Sequence, residues 1–164
     1  MDNNNKVNQM HHYRMYCFVE RHLSPIDKGI QSAHSIVEYA NKYLNTIEYV
    51  TWAYTDKTII LLNGGVVNDL RNICTEFTIN EIKFASFHET DMDDMLTCIS
   101  VLVDERVYDD KNYPNFEKWC EGNGLSSLNT DNHYAENYQK WKNFIGGDNN
   151  VILKSLINKH HLSR

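Results

Sequence analysis

The run Ser24–Ser35 combines residue types that can bind a polar ligand or act on it chemically. It begins as helices do, with Ser24 suited to the cap, Pro25 to the first helical position and Asp27 to the acidic position of a capping box. One side of this helix carries an ammonium, an amide and two hydroxyls at helical spacing, from Lys28, Gln31, Ser32 and Ser35. His34 lies at the boundary with an apolar side made of Ile30, Ala33, Val37, Ala40 and Leu44. Because ligands bind at strand ends in open α/β sheets, and an apolar strand precedes this run, we expect the polar side to meet a polar ligand.

A second group of candidate residues is an acidic stretch later in the chain. It contains Glu89, Asp91, Asp93 and Asp94, with His88 before them and Thr97 after them. One carboxylate, Asp91 or Glu89, is expected to orient a water molecule or accept a proton, and the Thr97 hydroxyl to orient a carboxylate or a substrate oxygen. Carboxylates also suit hard divalent cations, but the sequence shows no complete set of metal ligands, so we predict no metal and no cofactor. The structural alternatives are a solvated acidic loop and a strand-forming threonine.

Both groups resemble motifs of the type II peptidyl-tRNA hydrolase family, including its phage-encoded relatives. Gln31 and His34 match the family's Gln and His at the same spacing, and Lys28 is one residue closer to the Gln than the family's catalytic Lys. The Glu-Thr-Asp of 89–91 and the later Thr97 resemble the family's acid-containing loop and the Thr-led strand that follows it. The resemblance covers about residues 13–108. It implies a peptidyl-tRNA hydrolase II-like α/β fold and hydrolysis of the ester that joins a peptide to the terminal ribose of tRNA.

This chemistry requires a positioned water, a carboxylate or histidine to help deprotonate it, and a cation or amide that faces the developing oxyanion. The resemblance therefore implies a catalytic group of His34, Asp91, Lys28, Glu89 and Thr97. The expected ligand-binding residues are Gln31, Ser32, Ser35, His88, Tyr138 and Trp141. For His34 and Lys28 the structural alternatives are a histidine bonded within its own helix and a solvated surface lysine. The turn at Asn63, Gly64 and Gly65 either lets the backbone approach a phosphate or is only a turn.

The charge of the chain favours a small ligand. Its formal net charge is −6, and it has no cluster of lysines and arginines, whereas proteins that hold nucleic acid through the backbone present a basic surface. Binding of tRNA is therefore disfavoured, although a local patch would allow it. The abundance of Asn, Ile, Lys and Tyr suggests an AT-rich genome of the phage type.

Two alternative functions follow from this composition. A phage-type protein would cleave or sequester a small nucleotide immune signal, such as a cyclic nucleotide or an ADP-ribose derivative, with Tyr134, Tyr138 or Trp141 stacked on the base. Alternatively, the chain is a non-catalytic interaction module, with its C-terminal helices as the interface of a homodimer.

The elements that must position these residues follow from the hydrophobic pattern. Strands are predicted at 15–19, 58–62, 82–87 and 97–103, with amphipathic helices at about 25–45 and 66–77. The predicted fold is α/β: a four-stranded mixed sheet with two main helices and a helical C-terminal extension. We expect a mobile N-terminus at 1–12, an α/β core at 13–108 and an extension at 109–164 packed on that core.

The composition is that of one cytoplasmic domain. At 164 residues the chain can bury a core without disulfide staples. The absence of an apolar leader and of a membrane-length apolar stretch predicts a cytoplasmic location without a membrane partner. The scattered residues Cys17, Cys74, Cys98 and Cys120 are expected to be free thiols, as a reducing compartment implies.

Overall fold

The computed structural model describes residues 11–163, so most of the N-terminal segment predicted to be mobile lies outside the described residues. A four-stranded sheet forms the centre, and its strands are β1 Tyr13–Val19, β2 Thr58–Asn63, β3 Phe84–Glu89 and β4 Met95–Asp104. Their order is β2-β1-β4-β3. β1 pairs in parallel with β2, and β4 runs antiparallel to both β1 and β3. The prediction of an α/β fold with a mixed four-stranded sheet is confirmed.

Helices cover both faces of the sheet. Within residues 11–163 there are seven: α1 Pro25–Tyr43, α2 Ile47–Thr51, α3 Val67–Ile79, α4 Glu105–Tyr108, α5 Phe116–Gly122, α6 Tyr134–Phe144 and α7 Asp148–Lys159. A π-helical turn, Trp52–Asp56, continues α2. The start of α1 is as predicted, because the Ser24 hydroxyl accepts a hydrogen bond from the backbone N–H of Asp27 and Pro25 occupies the first turn.

Side chains that alternate along β1 divide the core into two clusters, one on each face of the sheet. Tyr16 and Phe18 face one side of the sheet, where they pack with Leu70 and Phe77 of α3. Met15, Cys17 and Val19 face the other side, where α1 supplies Tyr39. The last helix belongs to the first cluster, since Leu153 and Leu156 of α7 are buried in it. The sheet is therefore the middle of three layers.

Helices α5 and α6 pack on each other through aromatic rings. Phe116 contacts Tyr134, Tyr138 and Trp141, with ring centroids between 5.2 and 5.7 Å apart. The buried Trp141 donates its indole N–H to the carbonyl of Pro114 at 3.0 Å. The aromatic stripe of α6 thus serves as the core of a small helical pair.

Helix α1 packs on the sheet through its polar side, not its apolar one. Lys28, Gln31, Ser32 and Ser35 are all buried, and the Ser35 hydroxyl donates to the hydroxyl of Ser100 on β4 at 3.0 Å. Ile26, Ile30, Val37 and Leu44 are exposed instead. Short hydroxyl side chains bring the helix close to the sheet, and their hydrogen bonds offset the cost of burying them. Most of the side expected to meet a ligand is thus covered by the protein itself.

After α7 the chain runs back along β2. The N–H of Asn63 donates to the carbonyl of His161, the N–H of Ser163 donates to that of Leu61, both at 2.9 Å, and Leu162 forms an antiparallel bridge with Leu62. This tail brings His160 and His161 to the end of β2. Among residues 11–163, no helix combines the length and the apolar character needed to cross a bilayer.

Candidate functional site

One edge of the sheet gathers the sequence-predicted residues. β1, β2 and β3 run in the same direction and end at this edge, where the antiparallel β4 begins. Glu20 follows β1, Asn63 ends β2, Glu89 ends β3 and Thr97 lies near the start of β4. This is the position at which open α/β sheets bind ligands.

A chain of hydrogen bonds joins three of the predicted residues at this edge. The Gln31 side-chain N–H₂ donates to Glu89 Oε2 at 2.7 Å, and the Thr97 hydroxyl donates to Gln31 Oε1 at 2.9 Å, with the carbonyl of Phe87 also in reach at 3.3 Å. An ionised carboxylate only accepts hydrogen bonds, so the amide must turn its N–H₂ toward Glu89. Gln31 and Thr97 are buried and Glu89 is half-buried. The buried amide of Gln31 therefore fixes the orientation of the Glu89 carboxylate.

A β-bulge brings Thr97 to the α1 side of the sheet. Phe87 pairs with Cys98 and His88 pairs with Leu96, so Thr97 is an extra residue on β4. Leu96 packs in the α3 cluster, whereas Thr97 and Cys98 both contact residues of α1, Gln31 and Ser32 respectively. Without the extra residue, strict alternation would place Thr97 on the same face as Ile99, away from Gln31.

Glu20 is a buried carboxylate that sequence analysis missed. It is 3% exposed and follows β1 directly, and its backbone N–H donates to the carbonyl of Thr97 at 2.9 Å. Its two carboxylate oxygens lie 2.6 and 2.8 Å from the backbone nitrogen and Nδ1 of His22. The signal available in the sequence was an acid placed immediately after a buried strand.

Two cavities adjoin at this edge, and both are lined by Arg21, Asn63 and His161. The second, of about 820 Å³, also reaches Lys28, which is buried in the first turns of α1. The first, of about 400 Å³, adds Lys159. Arg21, Lys28 and Lys159 supply positive charge here, and the carboxylates of Asp69 and Glu76 lie in the first cavity. Sequence analysis could not place Lys159, because only the fold brings the end of α7 to the end of β2.

The glycine turn after β2 does not present free backbone donors to a phosphate. The N–H of Gly64 donates to the carbonyl of Val19 at 2.8 Å, and that of Gly65 donates to Asn63 Oδ1 at 3.0 Å. The N–H of Val66 donates to Asp69 Oδ2 at 2.9 Å. Gly64 is needed for close packing, since a Cβ there would lie 2.5 Å from Leu70 and 3.0 Å from the backbone of β1. The interpretation of these residues as a simple turn fits the structure better than the phosphate-binding one.

The structure places the other candidate residues away from this hydrogen-bond chain. The exposed His34 packs its ring edge-on against Phe87, with centroids 4.6 Å apart, in a hollow of about 200 Å³. Asp91, in the 3₁₀ turn Thr90–Met92, and His88 are both exposed. Four more candidates contact other parts of the protein. The Ser32 hydroxyl donates to the carbonyl of Lys28, and the Ser35 hydroxyl donates to that of Ser100. Tyr138 and Trp141 pack between α5 and α6. Within residues 11–163, no group of three or more His, Cys, Asp or Glu side chains is arranged to hold a metal ion.

The Cys17 thiol near the site is buried and is a poor nucleophile. A hydrogen bond with Cys98, together with burial, raises the pKa of the Cys17 thiol well above its usual value. Because the thiolate is the reactive form, we expect Cys17 of the native protein to resist iodoacetamide between about pH 7 and 9, while the denatured chain reacts fully. Peptide mass spectrometry after timed labelling measures this. Rapid labelling of Cys17 in the native state would contradict the closed packing of α1 on the sheet.

No protein-family model matches the chain, and no curated protein matches it.

Proposed function

We propose that this protein hydrolyses an ester in a nucleotide-containing substrate, at the edge of the sheet where β1, β2 and β3 end. The observation that carries the proposal is the chain of hydrogen bonds from Thr97 through Gln31 to Glu89, at the same edge of the sheet as a cavity lined by Lys28. Gln31, Glu89 and Thr97 belong, with His34 and Asp91, to the motifs through which the sequence resembles type II peptidyl-tRNA hydrolases, and Lys28 lies one residue closer to the Gln than that family's Lys.

The proposed reaction uses Glu89 as the general base. A water molecule transfers a proton to Glu89 as its oxygen bonds to the ester carbonyl carbon, and the carbonyl oxygen becomes an oxyanion. Lys28, one helical turn from Gln31, supplies the positive charge that stabilises this oxyanion. When the intermediate collapses, the bond to the ribose oxygen breaks and Glu89 returns the proton to that oxygen. Gln31 and Thr97 are positioning residues, which hold the carboxylate in the orientation that this transfer needs.

The proposed substrate is a small nucleotide end and not a long polyanion. Arg21 and Lys159, together with the half-exposed His160 and the exposed His161, give the cavities enough donors for one or a few phosphates. A long stretch of phosphates needs a matching number of cations, and the chain as a whole carries a net charge of −6. The acyl group would then lie toward Lys28 and the nucleotide toward Arg21.

A panel of substrates tests the proposal. We expect the purified protein to release a carboxylic acid from peptidyl esters of adenosine and of the terminal trinucleotide of tRNA, and a Lys28→Met variant to lose this activity. Product analysis by mass spectrometry identifies the bond that breaks. The control variant is Lys140→Met, since Lys140 is exposed on α6.

Other outcomes would replace the proposal with one of its alternatives. Cleavage of cyclic nucleotides without cleavage of esters would indicate an enzyme that degrades small nucleotide signals. Tight nucleotide binding without turnover would indicate sequestration.

A further inference from the structure

A second chain of hydrogen bonds at the sheet edge ends at the buried carboxylate of Glu20. Arg21 Nε donates to His22 Nε2 at 3.2 Å, and His22 Nδ1 lies 2.8 Å from Glu20 Oε1. A guanidinium only donates hydrogen bonds, and an ionised carboxylate only accepts them. Both contacts are therefore satisfied together by a neutral imidazole that carries its proton on Nδ1. The bonds then run in one direction, from Arg21 through His22 to the buried carboxylate.

The backbone around this chain is tied to two other elements at the same edge. The N–H of Glu20 donates to the carbonyl of Thr97 on β4, and the N–H of Arg21 donates to the carbonyl of Gly65 after β2, both at 2.9 Å. Glu20 Oε2 also accepts from the backbone N–H of His22 at 2.6 Å. These bonds offset the cost of burying a carboxylate that is only 3% exposed. The Arg21 side chain therefore starts from a backbone that is held in place.

The second cavity, of about 820 Å³, suits an anion. All the ionisable side chains that line it are basic, namely Arg21, His22, Lys28 and His161. The first cavity, of about 400 Å³, has two carboxylates in its lining, and these would repel an anion. Among residues 11–163, no carboxylate forms a salt bridge with the Arg21 guanidinium. The positive charge of Arg21 can therefore attract a ligand in the second cavity.

We propose that Glu20 and His22 are positioning residues, which orient the Arg21 guanidinium toward a phosphate group of the nucleotide in the second cavity. Because the Nε–H of Arg21 donates to His22, the terminal groups Nη1 and Nη2 remain to bind two phosphate oxygens side by side. This role rests on the proposed function for its substrate, and it adds the residues that select a nucleotide over an uncharged nucleoside.

The hydrogen bond from Arg21 to His22 strengthens phosphate binding by ordering the arginine in advance. A long side chain that is free to rotate loses rotamer freedom when it binds a ligand, and this loss weakens binding. His22 restricts the Arg21 side chain before the ligand arrives, and Glu20 in turn restricts His22. Removal of His22 should therefore weaken phosphate binding even though the guanidinium that contacts the phosphate remains.

Calorimetric titration with adenosine and with adenosine 5′-monophosphate (AMP) tests the proposal without any catalysis. We expect a His22→Ala variant to bind AMP about 5- to 10-fold more weakly while its affinity for adenosine is unchanged. Arg21→Met should weaken AMP binding by about 10-fold or more. The control is His133→Ala, since His133 is also exposed and pairs with a glutamate, at the start of α6. Unchanged AMP affinity in His22→Ala, or an equal loss in His133→Ala, would overturn the proposal.

A double variant distinguishes positioning from direct binding by the imidazole. If His22 acts through Arg21, the variant with both Arg21→Met and His22→Ala should bind AMP no more weakly than Arg21→Met alone. Losses that multiply would show that His22 contacts the phosphate itself, and they would overturn the positioning role.

The role of Glu20 is tested by two substitutions and by the position of the imidazole proton. Glu20→Gln should keep AMP affinity within about 2-fold because its amide oxygen still accepts from His22, whereas Glu20→Met should bind AMP as weakly as His22→Ala does. In the unmodified protein at about pH 8, where histidine is ordinarily neutral, ¹⁵N NMR should place the His22 proton on Nδ1. A proton on Nε2 would overturn the proposal, because Nε2 could then not accept from Arg21.

Ester hydrolysis separates this role from the proposed reaction. In His22→Ala the KM for the nucleotide ester should rise about 5- to 10-fold with kcat near that of the unmodified protein, because Arg21 contacts the nucleotide and not the reacting carbonyl. An unmodified protein that binds AMP through this chain but cleaves no ester would contradict the proposed reaction alone. A lower kcat with an unchanged KM in His22→Ala would overturn the positioning role.

Discussion

A Glu89→Gln variant is expected to hydrolyse the nucleotide ester more slowly by about 100-fold or more, the scale on which a general base contributes. The amide that replaces the carboxylate cannot accept a proton from water, but its oxygen still accepts the hydrogen bond from Gln31. The fold should therefore persist, with a thermal midpoint close to that of the unmodified protein. Steady-state kinetics should show the loss in kcat with little change in KM, because the base acts in the transition state.

Asp91→Asn provides the matched control, since it makes the same change of carboxylate to amide two residues away. Asp91 is exposed in a 3₁₀ turn, whereas Glu89 is half-buried and bonded to a buried amide. The activity of Asp91→Asn should thus stay near that of the unmodified protein. The opposite result, with Asp91→Asn impaired and Glu89→Gln active, would transfer the role of base to Asp91.

A Phe18→Ala variant should lose about 3–5 kcal/mol of unfolding free energy, the usual range for a buried phenylalanine. Phe18 is fully buried near the end of β1, and its ring meets Phe77 of α3 and His160 of the C-terminal tail edge-on, at centroid distances of 6.3 and 5.1 Å. Its removal leaves a cavity between the sheet, α3 and the tail that these neighbours cannot fill. Urea unfolding followed by circular dichroism measures the change.

Phe144→Ala is the control for this prediction. Phe144 is 41% exposed on α6 and contacts Tyr113 and Trp119, with ring centroids 5.4 and 6.3 Å away. The free energy of unfolding should fall by only about 1 kcal/mol, since little apolar surface returns to water. Equal losses in the two variants would mean that the two aromatic clusters contribute equally to the cooperative unit.

The strands and most of the helices could be predicted from the sequence because their signals are local. Ser24 and Pro25 mark the start of α1, and the apolar run at 58–62 marks β2. The family resemblance and the convergence of strand ends grouped Gln31, Glu89 and Thr97 with His34 and Asp91. Hydrogen bonds join only the first three. The features that could not be predicted depend on contacts between residues far apart in the sequence. Nothing near Lys159 in the sequence indicates that it faces the end of β2.

The orientation of α1 could not be predicted, for a different reason. An amphipathic pattern predicts that the apolar side of a helix faces the core, whereas α1 buries its polar side. Here β4 offers α1 a surface of small polar groups, including Thr97 and Ser100, and these pair with Gln31 and Ser35. Hydrogen-bonded hydroxyls thus take the place that apolar side chains occupy in most helix–sheet contacts.

The bulge in β4 separates the residue that contacts Gln31 from the residues that pack in the α3 cluster. Every second residue of β4 packs in the α3 cluster, namely Ile99, Val101 and Val103. The extra residue at Thr97 interrupts this alternation just before them. A substitution at Thr97 therefore alters the contact with Gln31 without changing any side chain of the α3 cluster. Thr97 can therefore be varied in a library of substitutions while Ile99, Val101 and Val103 keep their places in the α3 cluster.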